Sequence, residues 1–126
     1  TVQVGNIMQL PEIIPYFLNT LGIVFYSHRV NYPNVLSAQC IPSDLKLHVV
    51  KQLELLKTEV VNYPIMSMHK DLLSVTLRQI EDNINFLMAN DLSSKWSQTV
   101  AFNHRLDATR NQGPFEKIVK EYAAYI

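Results

Sequence analysis

Positions 22–30 read GIVFYSHRV, a run of β-branched and aromatic residues that decides the predicted fold, because this composition is typical of a β-strand. A first strand is predicted at Thr1–Gly5, where valines alternate with polar residues. Leu10–Leu21 between them reads as a helix, which Pro15 should kink and Gly22 should end. Strand, helix and strand with a short connection predict a βαβ unit with parallel strands.

The rest of the chain has the hydrophobic periodicity of helices. Apolar residues recur at helical spacing in segments that begin near residues 43, 70, 93 and 114, and Ser43 or Asp44 is available to cap the first of them. Two parallel strands do not form a stable sheet alone, and the chain begins with Thr1 rather than Met. We therefore expect a C-terminal piece of a longer protein, whose missing N-terminal part completes the sheet.

Composition excludes several classes of protein. The chain has 126 residues, 48% hydrophobic and 17% charged, which suits one globular domain. Lys plus Arg and Asp plus Glu are both 11, so the balance argues against a nucleic-acid partner. No apolar run approaches the roughly 20 residues of a transmembrane helix, so no membrane partner is expected. The single Cys40 allows no intrachain disulfide, which favours a cytoplasmic location.

Few residues suggest chemistry of their own. The histidines have no Cys or carboxylate partner at metal-ligand spacing, so no metal site is predicted at His28, His48, His69 or His104. Cys40 lies near a predicted helix start, but a buried, inert thiol is favoured over a nucleophile. Asp107 and Arg110 share a helix face. They form either a surface ion pair or, with Asn111, part of a site at the strand ends.

Two stretches resemble a known family. Asn31–Ser37 (NYPNVLS) followed by Ile41–Lys46 (IPSDLK) resembles the N-P-x-x-L-S … L-P-x-x-L-K passage of radical S-adenosylmethionine (radical SAM) proteins with a twitch or SPASM-type auxiliary domain. Tyr32 is an insertion relative to that pattern, and Ile41 stands where the family often has Leu. Phe102–Gln112 resembles the family's C-terminal F-x-x-x-L-D-x-x-R-x-x helix.

The resemblance implies an α/β to α+β fold that is helix-dominated overall. Residues 1–41 would be the last strand–helix–strand of a truncated, partial (β/α) barrel, and residues 42–126 a C-terminal region of about four helices. The parent chain would be an iron–sulfur enzyme that binds a [4Fe-4S] cluster on a Cys-x3-Cys-x2-Cys loop and reductively cleaves S-adenosylmethionine. Its radical would modify an unknown peptide or small-molecule substrate. With one cysteine, this chain would bind no cofactor and would not be active alone.

The same resemblance suggests site residues, because ligands of barrels meet the C-terminal ends of strands. By that rule Asn6, His28, Arg29 and Asn31 would line the S-adenosylmethionine or substrate side. Two other functions stay open. One is a non-catalytic helical protein-interaction domain, in which an exposed apolar face mediates assembly. The other is the end of a different α/β enzyme, such as a glycosyltransferase.

Overall fold

Helices dominate the computed structural model, which describes all residues from 1 to 126. The α-helices are α1 Leu10–Pro15, α2 Ser43–Glu59, α3 Ile65–Met68, α4 Leu72–Ala89 and α5 Trp96–Thr109. A π-helical turn, Tyr16–Thr20, continues α1. Short 3-10 turns lie at Ile7–Gln9, Asn34–Leu36, Ala38–Cys40, Val60–Asn62, Ser93–Lys95, Phe115–Lys117 and Lys120–Tyr125.

The predicted βαβ unit is not formed, so the α/β class and the partial barrel are wrong. The two stretches meet in a single parallel bridge between Val2 and Arg29, and no strand develops from it. The first stretch turns away at once, because Asn6 accepts a hydrogen bond from the Gln3 N–H at 3.0 Å and donates one to the Thr1 carbonyl at 2.8 Å. A ladder needs at least one further pair next to the first, and this turn prevents such a pair on the side after Val2.

The helix predicted between the two stretches exists in altered form. Pro15 ends the regular α-helical part, since it has no N–H to donate. The hydrogen bonds then widen, and the Leu21 N–H donates to the Tyr16 carbonyl at 3.1 Å. Gly22 follows with φ +63°, the left-handed conformation that ends many helices and favours glycine.

Three of the four predicted C-terminal helices are present as α2, α4 and α5. Their periodic apolar faces predicted them correctly, but the predicted caps of α2 are wrong. Pro42 holds the cap position without a side-chain hydrogen bond, so Ser43 is the first helical residue. Asp44 instead lies in the first turn, where a negative charge suits the helix dipole.

The fourth predicted helix, from Pro114 onward, forms only two 3-10 turns. Its apolar residues are nevertheless used. Phe115, Val119 and Tyr122 are buried, and the Tyr122 hydroxyl donates to the Val4 carbonyl at 2.6 Å. The C-terminal segment is therefore anchored to the N-terminal one through a buried hydrogen bond.

One cluster of 22 buried residues forms the core. Helix α2 packs against α4 and α1. The cluster takes residues from both predicted parts, from Val2 and Val4 near one end of the sequence to Tyr122 near the other. The predicted division at residue 41 stays a prediction.

Candidate interaction surface

A groove opens between α1 and residues 24–27. Its volume is about 410 Å³. The lining is mostly apolar and contains no acidic or basic side chain: Thr1, Val2, Asn6, Leu10, Ile13, Phe17, Val24, Phe25, Tyr26 and Ser27. We call this the α1 groove.

One wall of the α1 groove is formed by residues 24–27, within the predicted second strand. Ile23, Val24 and Tyr26 are exposed, and Tyr26 is exposed by 64%. Tyr16, which begins the π-helical turn, and Leu21, which follows it, are exposed as well. Five apolar or aromatic side chains within eleven residues are therefore exposed, and together they form an apolar surface patch.

Helix α4 holds this wall from behind. The side-chain carbonyl of Gln79 accepts hydrogen bonds from the Ser27 N–H and from its hydroxyl, both at 3.1 Å. Asn83, one turn further, donates from Nδ2 to the Ser27 Oγ at 2.8 Å. Phe25 packs edge-to-face on Phe17, with ring centroids 6.1 Å apart. The wall is thus fixed without β-pairing along most of its length.

Sequence reasoning placed Asn6, His28, Arg29 and Asn31 on one cofactor side, but the structure separates them. Asn6 lines the α1 groove, although its amide is engaged in the turn with Thr1 and Gln3. His28 is exposed. The Arg29 guanidinium lies over the Phe86 ring at 5.7 Å. Asn31 lines a different, polar cleft.

The predicted pair Asp107 and Arg110 does not meet. Asp107 accepts a hydrogen bond from the Phe115 N–H at 2.9 Å and so fixes the chain reversal after α5. Arg110 caps α5 with its backbone N–H, and its side chain is exposed. The expected ion pair is therefore wrong, and Asp107 has an anchoring role that the sequence did not indicate.

A second contact, between His104 and Glu116, joins α5 to the C-terminal segment close to the Asp107–Phe115 hydrogen bond. The His104 Nε2 contacts both oxygens of the Glu116 carboxylate. The shorter of the two distances is 2.9 Å, to Oε2. Burial alone would raise the pKa of Glu116, but the hydrogen bond from His104, a backbone hydrogen bond and the nearby positive charges together lower that pKa. This contact joins α5 to the C-terminal segment.

Lys46 is the most deeply buried cationic side chain. Its Nζ donates to the Asp91 Oδ1 at 2.7 Å, and Asp91 also accepts from the Ser93 N–H at 3.0 Å. The hydrogen bond from Lys46, followed by those from Ser93, holds the pKa of Asp91 well below its usual range. The pair ties α2 to the connection between α4 and α5.

Cys40 is fully buried, and its thiol donates to the Asn34 carbonyl at 3.0 Å, as expected for a structural thiol. No group of three or more His, Cys, Asp or Glu side chains is placed to hold a metal ion. The helices are also too short or too polar to cross a membrane.

Comparisons with known proteins return no match among family models, curated proteins or solved structures. The sequence alone does not predict the α1 groove, because the groove depends on two segments meeting in space. The only local signal for it is the apolar run Ile23–Tyr26, which its composition assigns to a β-strand.

Proposed function

We propose that this chain is a non-catalytic helical interaction domain that binds a partner protein at the α1 groove. The observation that carries the proposal is the exposed apolar wall beside an open groove. Ile23, Val24 and Tyr26 are exposed although Ser27, next to them, is firmly fixed on α4. An apolar surface that is held rigid and left open is typical of protein-binding sites.

The composition of the surface favours a protein partner. Tyr26 lines the groove, and Tyr16 is exposed beside the lining residue Phe17. Both offer a large apolar area together with a hydroxyl, a combination enriched at interface hot spots. The groove lining carries no charged side chain, so a charged small ligand would lose hydration there without gaining an ion pair. An apolar segment of a protein has no such penalty.

The radical SAM resemblance stays a prediction, and so do the cluster, the S-adenosylmethionine and the substrate that it implies. We do not extend it to site residues. The rule that placed Asn6, His28 and Arg29 together required two adjacent strand ends, and the strands are not formed.

The test is site-specific photocrosslinking in the native host. A benzophenone amino acid replaces Tyr26 in one variant and Leu47, similarly exposed on α2 away from the groove, in the control. We expect a discrete protein adduct from position 26 and none from position 47. Equal labelling at both positions, or none at position 26, would argue against the interaction domain.

A further inference from the structure

We infer that the polar cleft beside the C-terminal end of α4 is a binding site for a neutral carbohydrate, a mono- or disaccharide. The cleft has a volume of about 420 Å³, which is within the range of small-molecule sites. We call it the amide cleft, because most of its lining residues carry a carboxamide or a hydroxyl group: Asn31, Asn34, Ser37, Gln39 and Asn90. It shares no lining residue with the α1 groove, so the inference does not depend on the proposed function.

The floor of the amide cleft is built from two buried polar side chains. Ser37 is exposed by 1% and Gln39 by 6%, and the Gln39 N–H donates to the Ser37 Oγ at 3.3 Å. The Gln39 Nε2 donates to the Phe86 carbonyl at 2.7 Å, and the Gln39 carbonyl accepts from the Leu92 N–H at 3.2 Å. These bonds hold the Gln39 side chain in one orientation against α4.

Each of these two side chains keeps a hydrogen-bonding function free for a ligand. Because a backbone carbonyl only accepts, the contact with Phe86 assigns the amide nitrogen of Gln39 to that side and leaves its Oε1 as an acceptor. This oxygen has no partner within the chain, and the unpaired polar atoms that are closed off from solvent belong to other residues. The Ser37 hydroxyl accepts from Gln39, so its hydrogen remains to be donated. A fixed acceptor and a fixed hydroxyl group therefore line the same cleft.

Three further carboxamides surround this floor. Asn31, Asn34 and Asn90 are exposed, and their side chains make no hydrogen bond within the chain. The backbone of Asn34 is nevertheless held, because its carbonyl accepts from the Ser37 N–H and from the Cys40 thiol, both at 3.0 Å. Each carboxamide offers donors and an acceptor. The cleft thus presents both kinds of group side by side around a fixed floor.

The lining is uncharged, and this decides the class of ligand. An ion would lose hydration in the cleft without gaining an ion pair. A sugar is neutral, and each of its hydroxyl groups both donates and accepts, which matches neighbouring carboxamide and hydroxyl groups. Phe86, Ala89 and Leu92 supply apolar contact for the C–H groups of the sugar ring. A nucleotide matches less well, because no cation of the lining meets its phosphate and the Arg29 guanidinium already lies over the Phe86 ring.

Titration of the ¹⁵N-labelled full chain with the methyl glycosides of glucose, galactose, mannose and N-acetylglucosamine tests the inference. The side-chain NH₂ signals of Asn31, Asn34, Gln39 and Asn90 report the cleft directly, and we expect at least one glycoside to shift them saturably within tens of millimolar. Asn34→Ala should weaken that binding about fivefold, from the usual net worth of a hydrogen bond, and Asn90→Ala should do the same from the α4 side. Asn62→Ala is the matched control and should leave the affinity unchanged, because Asn62 is exposed and lies outside the cleft.

None of the three substitutions removes a side-chain hydrogen bond of the fold, so the remaining signals should stay in place in every variant. No saturable shift of the side-chain signals with any of the four glycosides would overturn the inference. Equal weakening by Asn34→Ala and Asn62→Ala would overturn it as well, because binding would then lie outside the amide cleft. Shifts of the same signals by 9-methyladenine, with none by any glycoside, would overturn it in favour of a nucleobase.

Discussion

Replacement of Tyr122 by Phe probes the contact that joins the two ends of the fold. The Tyr122 side chain is fully buried, and its hydroxyl donates to the Val4 carbonyl at 2.6 Å. Tyr122→Phe keeps the ring contacts with Trp96 and Phe115 but leaves that carbonyl buried without its donor. The expected loss is about 1–3 kcal/mol in the free energy of unfolding, the penalty for an unsatisfied buried polar group.

The same substitution should change the response to alkaline pH. Burial raises the pKa of Tyr122 far above its ordinary value near 10. The folded protein therefore keeps the phenol protonated while the unfolded chain ionises, so the contribution to stability is full below about pH 10 and declines above it by about 1.4 kcal/mol per pH unit. Phe cannot ionise. The stability curves of the two proteins should therefore converge one to two pH units above 10.

Urea unfolding followed by circular dichroism between pH 7 and pH 11 measures both effects. Tyr26→Phe is the matched control, because that hydroxyl is exposed and has no protein partner. It should leave the free energy of unfolding unchanged. Equal stability of Tyr122→Phe and the parent at pH 7, with parallel curves to pH 11, would refute the buried hydrogen bond and the burial that shifts the pKa.

Three further substitutions test other contacts. Gln79→Ala should free the groove wall at a cost of roughly 1 kcal/mol and speed hydrogen exchange at Ser27 more than elsewhere; unchanged exchange at Ser27 would contradict the α4 anchor. Gly22→Ala should destabilise by about 1–2 kcal/mol, because φ is +63° and only the backbone opposes a Cβ there, whereas Gly22→Asn should be tolerated better in thermal melts. The lowered pKa of Asp91 means that its contribution is present above about pH 4 and lost as pH falls, so Lys46→Met should flatten the acid side of the pH–stability profile; an unchanged profile would exclude the pair as its source.

The helices were predictable because their signal is local. Leu53 and Leu56 of α2, with Val60 directly after it, recur at helical spacing and are buried, as are Ile80 and Ile84 of α4. Each helix needs only one apolar face and a neighbour to cover it. The boundaries of α2, α4 and α5 therefore lie within a few residues of the predicted ones, and Gly22 ends the α1 region as expected.

The strands were not predictable on the same grounds, because a strand is completed by a partner that the local pattern does not specify. Val2 and Val4 are buried, as their alternation suggests, yet Asn6 turns the chain before a ladder can grow. The predicted site residues stay a prediction, but the strand ends on which that prediction rested are not formed. Gln79 and Asn83, four residues apart on one face of α4, offered the missing signal: two amides within an otherwise apolar face need a polar partner in the fold.

That partner, Ser27, explains how the groove wall stays extended without a sheet. A free segment loses about 1–2 kcal/mol per residue in backbone entropy when a binding partner orders it. Here the Gln79 and Asn83 hydrogen bonds and the Phe17–Phe25 contact order the segment in advance. If the groove binds a partner as proposed, that partner would meet a wall whose geometry is already set, so less of the binding free energy would be spent on ordering this segment.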